Sequence, residues 1–164
     1  MKVKDLIKLI EQWAIDRGLD KNGTVEGQLI KTAEEVAELI IGISKGNLKL
    51  IKDSVGDVFV TLVIGCLIEA VDLDWNKKYK LAMRTSPNYK LKKSEIIYDL
   101  VDSLNCLYEN DYAWMVYPFA VTLKFVCDFY DLKLIDCVES AYKEIADRKG
   151  VVVDGTFVKE EDLV

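Results

Sequence analysis

Residues 24–44, TVEGQLIKTAEEVAELIIGIS, and residues 48–71, LKLIKDSVGDVFVTLVIGCLIEAV, decide the fold. Neither stretch contains proline, and each is long enough for about six turns of helix. Thr24 follows an Asn22-Gly23 turn and is placed to cap the first helix, which the spacing carries to about Ser44. Along it Leu29, Ile30, Ala33, Val36, Ala37 and Ile40 make an apolar stripe, with Lys31, Glu34, Glu35 and Glu38 on the opposite side. In the second stretch Val58 to Ile68 is apolar nearly all round, the mark of a helix packed on every side. Only the short turn Lys45-Gly46-Asn47 separates the two.

The carboxylates on this pair carry the chemistry. Glu35 and Glu38 are three residues apart and Asp53 and Asp57 four, so each pair points from one side of its own helix. If the helices fold back on each other, these groups converge, and converging carboxylates repel unless protons or a cation neutralise them. A divalent-metal site is the expectation that follows. Taken alone, the Lys31–Glu38 cluster reads as an ordinary solvated face. Asp57 changes that balance, because it stands at the head of the apolar run, where a carboxylate is costly unless paired or coordinated. Gly56 beside it costs about 1 kcal/mol of helix propensity and admits a close neighbour.

Outward from this pair the chain continues as helices. Val3, Leu6, Ile7, Ile10, Trp13 and Ala14 recur at helical spacing over residues 3–17, and Gly18 is a stop. Asp72 and Asp74 can cap a helix from Trp75 to about Met83. Residues 84–94, RTSPNYKLKKS, form a connector, after which helices are expected at about 94–108, 114–130 and 134–148, with Pro118 in the first turns of its helix. From Lys77 to Ser94 the chain has seven Lys or Arg and no acid, which reads as a solvated basic stretch before a phosphate-facing one. The tail VVVDGTFV, residues 151–158, is a hairpin signal about Asp154-Gly155. The expected class is therefore all-α, a helical bundle with a short β-hairpin-like tail. Residues 31–66 also align without gaps on residues 92–127, pairing Leu39 with Leu100, Val60-Thr61-Leu62 with Val121-Thr122-Leu123, and Cys66 with Cys127. The second copy has Ile96 for Glu35 and Pro118 for Asp57, so an internal helical duplication would leave only the first copy acidic; chance likeness of amphipathic helices is the alternative.

Composition narrows the function classes. A chain of 164 residues suits a single domain, residues 1–164, and its net charge of −6 argues against nucleic-acid or anionic-membrane binding. With no histidine there is no Ser-His-Asp or Cys-His system and no His-containing zinc site. Cys66, Cys106, Cys127 and Cys137 lie in apolar surroundings without a C-x-x-C pair, as expected of reduced thiols in a cytoplasmic protein. No signal-peptide pattern opens the chain, and the longest apolar run is about half a membrane span.

The run Gln28-x-x-Lys31-x-x-Glu34-Glu35-x-x-Glu38-Leu39, followed by Asp53-Ser54-x-Gly56-Asp57, resembles the MazG-like nucleotide pyrophosphohydrolases, whose pattern is E-E-x-x-E, a spacer, then E-x-x-D. Trp13-Ala14-x-x-Arg17-Gly18-Leu19 resembles the family's opening. Ala141-Tyr142-x-Glu144-Ile145-x-Asp147-Arg148-Lys149-Gly150 and Gly155–Glu160 resemble its ending, which leaves residues 74–131 as an insertion or degenerate partial repeat. The resemblance implies an all-α, self-associating enzyme, a dimer or tetramer, that converts a (d)NTP and water to the (d)NMP and pyrophosphate with Mg²⁺, for which Mn²⁺ could substitute. It implies Glu35, Glu38 and Asp57 as metal ligands and Glu34 as a further ligand or an aid to water activation. The pattern's second-motif glutamate falls on Ser54, a departure that Asp53 could make good as a ligand. Lys31, Arg148 and Lys149 are candidate phosphate contacts, against the plainer reading of helix ion pairing, and Trp13 could stack on a base or simply belong to the core. The alternative function is a catalytically weak nucleotide-sensing or protein-interaction module.

Overall fold

The computed structural model describes residues 1–164 and contains eight α-helices and one β-hairpin. In chain order these are α1 (Val3–Asp16), α2 (Leu19–Asn22), α3 (Val25–Lys45), α4 (Leu48–Ile68), α5 (Trp75–Arg84), α6 (Lys93–Glu109), α7 (Tyr112–Phe129), α8 (Leu134–Ile145), β1 (Gly150–Val153) and β2 (Thr156–Lys159), closed by a 3₁₀ turn at Glu160–Asp162. The all-α class with a short β tail is what the periodicity predicts. The small elements α2 and the 3₁₀ turn carry too few residues to show a period.

Local chemistry sets the helix ends. The Thr24 hydroxyl accepts from the Gly27 amide at 3.0 Å at the start of α3, and the Asn47 side chain accepts from the Leu50 amide at 3.2 Å at the start of α4. Asp74 and Asp111 cap α5 and α7 in the same way. The central element is α4, buried on nearly every side and packed against α1, α2, α3, α7 and α8. Its core side chains belong to one cluster of 34 buried residues that also takes in Trp75, Leu100, Tyr112 and Phe119 from the 74–131 segment. Glu69, just past α4, seals that join by accepting from the Tyr112 and Ala113 amides at 2.8 and 3.2 Å. Gly56 allows α8 to come close, since a Cβ there would stand 2.3 Å from the Cys137 carbonyl oxygen.

The two chain ends meet beside α4. The indole N–H of Trp13 donates to the Ile145 carbonyl at 2.7 Å, and the Arg17 guanidinium donates to the Arg148 and Ala146 carbonyls at 2.8 and 3.3 Å. Hairpin β1–β2 pairs Val152 with Phe157, and Phe157 meets Trp13 edge-on at 5.1 Å. Its turn, with Asp154 and Gly155 both at positive φ, rests on the start of α3, where the Thr24 amide donates to the Gly155 carbonyl at 3.0 Å.

Three expectations need correction. On α3 the core face is not the proposed apolar stripe: Ile30 is 55% exposed and Ala37 is exposed, while Gln28, Thr32 and Glu35 are buried with Val36, Leu39 and Ile43. The helix is rotated because those polar groups find partners. The Gln28 amide donates to the Thr61 carbonyl at 2.9 Å, Thr32 and Tyr112 share a hydroxyl–hydroxyl bond of 2.8 Å, and Glu35 pairs with Lys31 at 2.9 Å. Pro118 lies seven residues into α7, beyond the first turn. Finally, α4 ends at Ile68, before Val71. No helix is long and apolar enough to cross a membrane.

Candidate functional site

The register of α3 on α4 assembles the site. Gln28, Glu35 and Gly42 are seven apart and so lie along one line of α3. Gln28 touches the backbone at Thr61, and Gly42 lies against Ile51, where a Cβ would be 3.2 Å from the Ile51 side chain. The middle of that line, Glu35, therefore faces the middle of the 51–61 stretch, where Ser54 and Asp57 sit. From the other side Gly56 lets α8 close in, bringing Glu144 and Arg148 to the same place.

Glu35, Asp57 and Arg148 line a pocket of about 60 Å³ whose walls also include Trp13, Gln28, Lys31 and Thr61. That is room for about four waters. A larger ligand must lie across its mouth. There an open polar groove of about 470 Å³ begins, sharing Arg148 with the pocket and adding Glu144, Lys149 and Lys159.

Electrostatics confirms the crowding. The Asp57 carboxyl is pushed up to about 7, first by burial, then by the neighbouring Glu35 and Glu144 carboxylates; Arg148 and Lys31 oppose this without cancelling it. Lys31 is held above its ordinary value although burial pulls the other way, because Glu35 and Glu34 both bind its ammonium, each at 2.9 Å.

The anticipated residues thus divide. Glu35, Asp57, Lys31, Arg148 and Trp13 are brought together at one pocket. Glu34 is at the rim, joined to Lys31, and Glu38 is solvent-exposed on the next turn of α3. Asp53 is half-buried on α4, and Lys149 belongs to the outer groove with Arg148. As the side chains stand, no three His, Cys, Asp or Glu groups gather closely enough to hold a metal ion. Trp13 has its indole N–H bonded to Ile145, and the Arg17 guanidinium covers the ring at 4.4 Å, so it serves as a pocket wall first.

Sequence reasoning assigned no role to Ser54 or Glu144. Ser54 is 1% exposed and its hydroxyl has no hydrogen-bond partner. The available signal was their helical spacing, three residues before Asp57 and four before Arg148. As a donor set, Glu35 and Asp57 offer only hard oxygen atoms, beside space for a few waters. That chemistry fits Mg²⁺, which takes few protein ligands and keeps several waters.

The chain is 33% identical to the "Uncharacterized 18.2 kDa protein in rep-hol intergenic region" of Haemophilus phage HP1 (strain HP1c1), in an alignment of 162 residues covering 85% of this chain and 97% of the relative. The chain belongs to the family of that phage protein. No family model matches it, and no solved structure does. The relative's name records its mass and its place in the phage genome.

Proposed function

We propose that the chain is a Mg²⁺-dependent nucleoside triphosphate pyrophosphohydrolase of the MazG-like kind, releasing a (d)NMP and pyrophosphate. The observation that carries this reading is the convergence of Glu35 from α3 and Asp57 from α4 on one small pocket, flanked by Lys31 and Arg148. Glu35 and Asp57 are the residues to hold the metal, with the exposed Glu38 on the next turn of α3 as a further candidate. A bound Mg²⁺ supplies an activated water at neutral pH and offsets charge on the α-phosphoryl group.

Lys31 and Arg148 at the pocket are the cations proposed to meet the triphosphate oxygens, while in the outer groove Lys149 and Lys159 are balanced by Glu144, Asp147, Glu160 and Glu161. Attack by water oxygen on the α-phosphorus breaks its bond to the bridging oxygen, which leaves with pyrophosphate. With no histidine in the chain, the water's proton passes to a carboxylate, for which the exposed Glu34 at the rim is the candidate. A pocket this small does not wall in a nucleotide alone. Self-association into a dimer or tetramer answers that need, and the exposed Ile30, Ala37 and Ile41 on α3 offer an apolar line for it. The reading places the enzyme in the cytoplasm.

The test is an NTP panel with Mg²⁺ and detection of pyrophosphate. Pyrophosphate with an equal amount of monophosphate supports the enzyme. Specific nucleotide or protein binding with no turnover on any NTP would favour the sensing or interaction module, to which the outward position of Glu38 lends support.

A further inference from the structure

Between Lys77 and Asp111 the charges are sorted by sign. From Lys77 to Lys93 the chain carries seven Lys or Arg and no acid; from there to Asp111 it carries Glu95, Asp99, Asp102, Glu109 and Asp111 and no Lys or Arg. None of these groups forms an ion pair within the molecule. Two blocks of opposite charge thus stand in one region with their charges unspent.

Helix α7 separates them on the surface. It packs against both α5 and α6. The Tyr117 and Thr85 hydroxyls, 3.1 Å apart, tie it to the end of α5, and those of Thr122 and Ser103, 3.0 Å apart, tie it to α6. Tyr117 and Thr122 leave α7 about 140° apart, and Trp114 and Pro118 stand between them as an exposed ridge. Trp114 is 69% exposed, whereas Trp13 and Trp75 are buried. On one side of the ridge lies a groove of about 460 Å³ walled also by Lys77, Lys78 and the exposed Leu81; the acid there is Asp74, which caps α5. On the other side lies a groove of about 330 Å³ with Asp99 and Asp102 and no cation. A bare tryptophan with apolar neighbours and a charged rim is the make-up of a contact surface.

We propose that the Trp114–Pro118 ridge is the centre of a contact with a second copy of this chain. A two-fold axis parallel to α7 sets ridge against ridge and lays the α5 side of each copy over the α6 side of the other. Lys77 and Lys78 then meet the partner's Asp99 and the partner's Asp102, twice over by symmetry, while Trp114, Pro118 and Leu81 leave water. Other occupants match only half of this face. A nucleic-acid strand or an anionic lipid surface drawn to the lysines would lie against Asp99 and Asp102 across the ridge. The contact draws on residues 74–131, outside the resemblance, and depends neither on the enzyme reading nor on the apolar line of α3.

The experiment is light scattering on the full-length chain in about 0.1 M salt, where charges in direct contact still act on each other. Wild type is compared with W114D, K77E/K78E, D99K/D102K and an equimolar mixture of the last two, and a melting curve of each checks its fold. Wild type associates. W114D and each charge variant fall to half the wild-type mass, since in K77E/K78E acid faces acid across the axis and in D99K/D102K cation faces cation. The mixture returns to the wild-type mass, because every contact across the axis again joins opposite charges. D102K alone, which spares the 3.0 Å bond from the Tyr89 hydroxyl to Asp99, shifts the mass in the same direction as D99K/D102K. A wild-type chain of monomer mass, an unchanged mass in folded W114D, or a mixture that stays at half mass overturns the proposal. Retention of a single-stranded oligonucleotide by wild type and not by K77E/K78E, with the mass unchanged in W114D, overturns it in favour of nucleic acid.

Discussion

Two helix pairs in this molecule occupy corresponding stretches of sequence, 61 residues apart, and fill them with opposite chemistry. In α3–α4 the buried positions include Glu35 and Ser54; their counterparts in α6–α7 are Ile96 and Met115, equally buried. Leu39 and Leu62 match Leu100 and Leu123, all four without exposure. Where the first pair has Asp57, the second has Pro118 on its surface. Even the polar contact between helices differs in kind: Gln28 reaches the Thr61 backbone in one pair, while Ser103 and Thr122 share a hydroxyl bond of 3.0 Å in the other. Helix packing of this shape is therefore satisfied by aliphatic side chains. Glu35, Ser54 and the partly buried Asp57 are costly by comparison, and the proposed site would account for Glu35 and Asp57.

The strongest challenge to this contrast is exchange of single charges. Glu35→Gln and Asp57→Asn should each abolish pyrophosphate release from the responsive NTP, and Asp99→Asn, at the position 61 residues after Glu38, should leave the rate unchanged. Equal rates in all three variants would remove the distinction between the pairs.

A smaller effect concerns pH. Folding raises the Asp57 carboxyl from an ordinary value near 3.8 to about 7, so the folded chain binds the extra proton between those values. Stability of the metal-free protein is then greatest below about pH 4 with respect to this group and declines as pH rises toward 7, by at most about 4 kcal/mol. Denaturant unfolding across this range checks it. Asp57→Asn should remove this component, and Mg²⁺, which needs the ionised carboxylate, should restore stability at the alkaline end.

Smaller again, Glu35→Ile copies the second pair into the first. It should stabilise the metal-free fold by about 1–3 kcal/mol, as when buried ionic groups give way to well-packed apolar ones. That corresponds to a rise of several degrees in melting temperature for a chain of this length. Lys31, partly exposed, keeps Glu34 as a partner. The least effect is expected from Ser103→Ala, a loss of about 1 kcal/mol from one hydroxyl bond with turnover untouched.

Much of this fold was legible in the sequence because its signals are local. Thr24 and Asp74 cap the helices they were expected to cap, the Asp154-Gly155 pair turns the hairpin, and the apolar run after Asp57 is buried all round. Gly56 was readable as a point of close approach, though not that the neighbour would be the Cys137 carbonyl. The orientation of α3 was not legible. Its inward face holds Gln28, Thr32 and Glu35, and two of their partners, Thr61 and Tyr112, lie 33 and 80 residues away. A helical period counts such residues as outward-facing because it cannot see the groups that satisfy them. For the same reason the cluster 31–38 was legible as a unit, while its division into buried Glu35 and solvent-facing Glu38 was not.

The Trp13–Ile145 and Arg17–Arg148 bonds join residues more than 130 positions apart, and Phe157 closes the same wall. Timing follows from that distance. During synthesis the α3–α4 hairpin, with Glu35, Ser54 and Asp57 on it, emerges long before the residues that complete its pocket, and contacts of such separation form late. A nascent chain stopped before Ile145 would carry every motif carboxylate and no finished cavity. The pocket closes only when Ile145, Arg148 and Phe157 have joined the α3–α4 hairpin.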